Sequence, residues 1–120
     1  MCTSVIYKNR YFGRNLDYEF SYGEILNKHF AIIGMPHISD NYPLYYDAIN
    51  EKGLGIAGLN FVGNAYYNEV KKGYNNIASF ELIPYLLSKC ESVEDVKDEL
   101  KLINISNENF SSQLPSSELH

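Results

Sequence analysis

The chain opens on β-branched and aromatic positions. TSVIYK at residues 3–8 suits a strand that begins almost at the first residue. Asn9-Arg10 is a turn signal, and YFGRNLDYEFSY (11–22) returns as a second strand, so the two predict a β-hairpin. HFAIIGM (29–35) is an apolar run of strand length closed by Pro36. PLYYDAIN (43–50) is the next strand. The turn signal Asn50-Glu51-Lys52-Gly53 then leads into GLGIAGLNF, which predicts a second hairpin. After that the period changes. ASFELIPYLLSKC (78–90) sets Phe80, Ile83, Leu86 and Leu87 on one helical face, with Pro84 expected to kink the helix or to lie near its first turn. Ser92 followed by Asp95 is an N-capping pattern. It opens a second amphipathic helix, about 92–103, with Val93, Val96, Leu100 and Ile103 inward. From Asn104 onward the chain is polar and reads as a loop. Strands first and helices second predict an α+β fold with a mainly antiparallel sheet, in one domain over residues 1–120.

Composition narrows the function. The 120 residues are 45% hydrophobic, enough for a real core in one domain. A net charge of −5 with no clustered Lys/Arg patch argues against nucleic acid and against an anionic membrane. No stretch has the unbroken apolar length that spans a bilayer, and the start shows no secretory pattern, so a cytoplasmic protein is expected. His29, His37 and His120 lack metal-ligand spacing with each other or with cysteine, and no metal or cofactor is expected. Cys2 and Cys90 form no CxxC pair; without an export signal a disulfide is not expected, and Cys90 reads as a buried helix residue. Eleven tyrosines point to amphipathic, partly wet surfaces such as a ligand cleft. The Tyr45-Tyr46 and Tyr66-Tyr67 pairs read as packing before they read as substrate contacts.

Cys2 is the position with the most chemistry. Once Met1 is removed, its thiol and its own α-amine belong to one residue, so one serves as nucleophile and the other as proton acceptor. The amine titrates at about 7.7–8.0 and the thiol at about 8.5, so both are usable near neutral pH. A guanidinium would lower the thiol pKa, and Arg14, on the partner strand of the first hairpin, can reach that position. Asp17 is placed to accept a hydrogen bond from the α-ammonium. Arg14 and Asp17 are three apart and would face opposite sides of a regular strand, so a bulge is needed for both to reach Cys2.

MCTS at the start, FGRNLD (12–17) and NEKGLGIAGLNF (50–61) together resemble the choloylglycine hydrolase family, which holds conjugated bile salt hydrolases and penicillin V acylases among the N-terminal nucleophile hydrolases. FELIPYLLSKCESVEDVKDEL is similar to that family as well. The resemblance implies the N-terminal part of an αββα sandwich with two helices on one face of the sheet, Cys2 as nucleophile, Arg14 beside it and Asp17 contacting the terminal amine. It implies that the backbone N–H of Asn60 forms part of an oxyanion hole, and that the four residues converge at one end of the sheet. The implied reaction is hydrolysis of a small-molecule amide, a conjugated bile salt or a penicillin V-like substrate, through an acyl-thioester and without a cofactor. The intact enzyme is expected to be a homo-oligomer. Only GEILNK (23–28) stands where the family carries a strand and a variable loop. The family's second oxyanion asparagine and a later active-site arginine have no counterpart in these residues. The alternative reading, a truncated and non-catalytic module of the same family, stays open on the sequence alone.

Overall fold

In the computed structural model, residues 29–59, 63 and 65–116 are described in full and residues 4–7 and 11–14 as backbone. The first predicted hairpin is present. Strands β1 (Ser4–Tyr7) and β2 (Tyr11–Arg14) pair antiparallel, with Ser4 opposite Arg14 and Tyr7 opposite Tyr11. Among the described residues this pair forms a ladder of its own.

The second sheet runs β3 (Ile32–Ser39), β4 (Tyr42–Asn50) and β5 (Gly55–Ala57), all antiparallel in that order. Pro36 does not close β3, as the apolar run suggested; the strand continues to Ser39 with Pro36 opposite Tyr45. Proline is tolerated at bulges and on outer strands, where its missing N–H breaks no ladder. Both conditions hold, since β3 is outermost among the described residues and the register shifts between Met35 and Pro36. A further hairpin turn joins β3 to β4. Asp40 and Asn41 occupy it with φ of 50° and 61°, the left-handed pair that a two-residue hairpin turn requires. The turn from Asn50 to Gly53 was read correctly, and Gly53 takes a φ of 88°.

The register shift decides which side chains enter the core. Met35 faces Asp47 while Pro36 faces Tyr45, so Tyr46 is the extra residue of a bulge in β4. The bulge reverses the alternation along the strand. Ala48 and Asn50 are buried on one side of it, whereas beyond it Tyr45 packs on the core and Tyr46 is exposed. Gly34 stands opposite Ala48, where a Cβ would sit 2.5 Å from the alanine Cβ, so no other residue fits without moving the strands.

The second half departs furthest from its pattern. The segment read as one helix over 78–90 begins as strand β6 (Asn75–Ala78), passes through a 3₁₀ turn (Ser79–Glu81) and becomes helical only in α1 (Leu82–Leu87). Pro84 lies in the first turn of α1, where its missing N–H breaks no helical bond. Helix α2 (Val93–Glu99) starts at the Ser92 cap as expected. The Ser92 side chain accepts from the Asp95 N–H, and the Asp95 carboxylate accepts from the Ser92 N–H. The helix ends sooner than 103. Val96 packs on the core, but Val93 is 55% exposed and Ile103 belongs to strand β7 (Ile103–Ser106), in the region read as loop. β7 pairs parallel with β6 in a two-stranded ladder of its own among the described residues, and α1 with α2 forms the crossover that parallel pairing demands.

One core holds the layers together. Ala48 of β4 and Leu54 of the turn before β5 meet Ile83, Leu86, Leu87 and Cys90 from α1 and its C-terminal end, with Ile32, Ile56 and Val96 packed around them. Leu87 is fully buried, and such a side chain stabilises the fold by about 1.5–3 kcal/mol. Cys90 is buried as expected, just past α1, and burial pushes its thiol pKa up. The helices are tied by polar contacts as well. The Tyr85 hydroxyl donates to Glu99 Oε1 at 2.6 Å and accepts from Asn75 Nδ2 at 2.9 Å, while Lys89 Nζ reaches Glu99 at 2.9 Å. The other face of the sheet is not covered by these helices, and Ile33 there is 73% exposed.

Candidate functional site

The expected catalytic group falls mostly on residues that the structure does not describe. Cys2, Asp17 and Asn60 lie outside the described residues, as does any bulge between Arg14 and Asp17. Arg14 is placed by its backbone. It ends β2 directly across from Ser4, two residues along the chain from Cys2, so the hairpin register brings its position to the strand end nearest the terminus. The expected convergence of all four residues lies outside the described residues.

What the structure does place is the support that leads to Asn60. Asn50, 4% exposed, anchors the turn between β4 and β5 with its side chain. Its Nδ2 donates to the Leu87 carbonyl at 2.9 Å and to the Cys90 carbonyl at 2.8 Å, and its Oδ1 accepts from the Lys52 and Leu54 N–H groups at 3.1 and 3.0 Å. One side chain thus satisfies two orphan carbonyls at the end of α1 and two donors of the turn. β5 leaves that turn, and the Gly58 N–H donates to the Tyr46 carbonyl at 2.8 Å, extending the pairing to two residues before Asn60. The sequence marked Asn50 as a turn residue but not as a core tether. Its partners at and just past the end of α1 lie 37 and 40 positions away, beyond any local pattern.

Beside Gly58 opens a cleft of about 220 Å³. Leu44, Tyr45 and Tyr46 of β4 form one wall, and Ile56 and Ala57 of β5 the floor. Phe80, Leu82 and Ile83 close it on the helical side, and Phe110, Leu114 and Pro115 of the loop after β7 on the fourth. Phe80 and Phe110 meet edge to face at 5.3 Å, and Tyr42 contacts both rings, which fixes that loop against the 3₁₀ turn. Burial, followed by the nearby Glu81 charge, raises the Tyr42 phenol pKa and keeps it neutral. A second hollow of about 400 Å³ lies on the other side of Tyr45, between Phe30, Ile32, Tyr42 and Pro84. Of the tyrosine pairs, Tyr45 both packs on the core and lines the cleft, Tyr46 and Tyr67 line it, and Tyr66 is 87% exposed. Among the described residues no group of His, Cys, Asp and Glu gathers to hold a metal, and no helix is long and apolar enough to cross a membrane. The site offers a largely apolar, aromatic-lined cleft beside Gly58, at the end of β5.

Known proteins resemble this chain in sequence and in fold. The chain is 48% identical to the bile salt hydrolase/transferase of Lactiplantibacillus plantarum over 139 aligned positions, covering all of this chain and 43% of that protein. It is 37% identical to the conjugated bile acid hydrolase of Lactobacillus gasseri, covering 45% of that protein. The chain thus spans less than half the length of these relatives. Because 139 aligned positions take in only 120 residues, about 19 positions of the first relative have no counterpart here, in keeping with the shortened stretch seen in the sequence. Among solved structures, a cysteine-to-alanine mutant of the conjugated bile acid hydrolase from Clostridium perfringens matches 90% of this chain with a TM-score of 0.71 at 35% identity. An arginine-to-leucine variant of the same hydrolase matches 75% with a TM-score of 0.69 at 40% identity. The α+β class expected from the sequence holds, and the sequence model of the linear amide C–N hydrolases matches residues 22–120. The chain belongs to the choloylglycine hydrolase family of linear amide C–N hydrolases.

Proposed function

We propose that this chain is the nucleophile-bearing part of a cysteine amidase that cleaves the C–N amide bond of conjugated bile salts or a related N-acyl substrate such as penicillin V. The reading is carried by family membership together with a 48% identical bile salt hydrolase/transferase that aligns over the whole chain. With Met1 removed, the Cys2 thiol gives its proton to its own α-amine and attacks the amide carbonyl. The Asn60 N–H donates to the oxyanion that forms, Arg14 favours the thiolate, and Asp17 orients the amine. The amine then returns the proton to the leaving nitrogen, and water cleaves the resulting thioester. The cleft beside Gly58 supports this reading because an apolar acyl body needs an apolar wall, and Ile56 and Ala57 of β5 line one.

The test is to incubate the Met1-processed chain with glycine- and taurine-conjugated bile salts and with penicillin V, using Cys2→Ser as the blank. Mass spectrometry reads the acyl adduct on Cys2, and amine release reads turnover. The expected result is a Cys2 adduct with barely detectable turnover, because each missing oxyanion donor costs about a hundred- to a thousand-fold in rate. Absence of any adduct that depends on Cys2 would overturn the amidase reading. Turnover at an ordinary enzymatic rate, lost in Cys2→Ser, would show that these 120 residues suffice.

A further inference from the structure

We propose that the cleft beside Gly58 recognises a hydroxyl group on the acyl body of its ligand through the paired hydroxyls of Ser79 and Ser116; this rests on the amidase reading above. The two Oγ atoms lie 3.1 Å apart, half-buried, in an otherwise largely apolar wall. Between them they hold two protons and four lone pairs. Their mutual bond uses one proton and one lone pair, and no other hydrogen bond to either hydroxyl is seen among the described residues. A ligand that fills the cleft strips water from what remains, and that loss is made good only by a group able to donate and accept at once. A ring hydroxyl does both. A methylene does neither. His37 lines the cleft but no lysine or arginine does, so it lacks the fixed cationic fork that best pairs the anionic carboxylate or sulfonate end of a conjugate. The acyl body is the part that belongs here.

The pair has a competing structural reading as a tether of the 109–116 loop. That loop is already fixed by the Phe80–Phe110 contact and by the Ser116 N–H donating to Asn109 Oδ1 at 2.8 Å. A tether would serve every ligand alike, whereas recognition would serve only those with the hydroxyl. Affinity is therefore measured by calorimetry on the full chain carrying Cys2→Ser, so that no ligand is consumed, below the micellar concentration of each ligand. The ligands are the glycine conjugates of cholic acid, with three ring hydroxyls, of its two-hydroxyl analogues, and of cholanic acid, with none. Ser79→Ala and Ser116→Ala should each weaken binding of at least one hydroxylated ligand by about three- to tenfold, the worth of one net hydrogen bond. The cholanic conjugate should stay within about twofold, and Ser79→Thr, which keeps the hydroxyl, should retain the preference. Equal loss for all ligands would make the pair a tether and overturn the proposal, as would no loss for any. Failure of the parent chain to bind every one of these ligands would remove the acyl cleft itself, and with it this inference. The Cys2 adduct measured above separates that failure from a loss of hydroxyl recognition alone.

Discussion

Two buried asparagines do opposite things in this molecule. Asn50, at the turn between β4 and β5, has all four of its side-chain hydrogen-bonding needs met. Asn104, on β7 and equally buried at 4% exposure, donates to the Glu69 carbonyl at 3.0 Å and to Asn76 Oδ1 at 2.7 Å, but its own Oδ1 has no partner among the described residues. Both sit at seams between distant segments. The difference lies in what surrounds them. Asn50 faces a helix end and a tight turn, each rich in backbone groups that need partners. Asn104 faces a neighbouring strand whose backbone groups are largely satisfied by the ladder it forms. A buried polar side chain is thus worth most where backbone structure ends.

That contrast can be broken most severely at Asn50. Asn50→Ala would leave two carbonyls and two N–H groups without partners around the Leu87 core, at a cost of about 3 kcal/mol or more. This is a large part of the stability of an ordinary domain. Urea denaturation should show a correspondingly lower midpoint, and a loss under 1 kcal/mol would mean that the turn is held by its backbone bonds alone. Asn104→Ala should cost much less, about 1 kcal/mol, because the substitution removes two donated bonds together with one acceptor that was already unpaired. Equal losses at the two positions would erase the comparison.

The smallest effect is expected at the polar clamp between the helices. The Tyr85 hydroxyl, and after it Lys89, hold the Glu99 carboxyl pKa below its ordinary 4.5. A depressed carboxyl stabilises the fold fully above its unfolded value and loses that contribution as pH falls through the folded one. The melting temperature should therefore drop slightly as pH falls below about 4.5, and Glu99→Gln should flatten that part of the profile. If the variant keeps the full acid slope, the slope belongs to other carboxylates. Asp95 is one, its pKa lowered by the Glu91 N–H and then by the Ser92 side chain.

What was legible in the residues was local or ancestral. β1 and β2, the Asn50 turn, the Ser92–Asp95 cap and the place of Pro84 each depend on neighbours within a few positions, so side-chain spacing and turn chemistry carried them. Family membership was carried by MCTS, FGRNLD and NEKGLGIAGLNF, and the matched sequence model and relatives bear it out. The four named site residues owe their roles to that likeness, and Cys2, Asp17 and Asn60 lie outside the described residues, so their geometry stays with the proposal.

Tertiary structure decided the rest, because each remaining feature depends on a partner far along the chain. Ile103–Ser106 looks like the start of a polar loop, yet it is a strand because β6, 28 positions earlier, offers a parallel edge across the helical crossover. Tyr45 rather than Tyr46 enters the core because the pairing with β3 slips at Pro36, and no alternation within β4 records that slip. The cleft joins β4 and β5, the 3₁₀ turn and a loop up to 72 positions from its first wall, and the hydroxyls of Ser79 and Ser116 meet across 37 positions. Local periodicity determines which segments can form strands and helices; burial and backbone pairing between segments determine which of them face one another, and it is only there that a site is made.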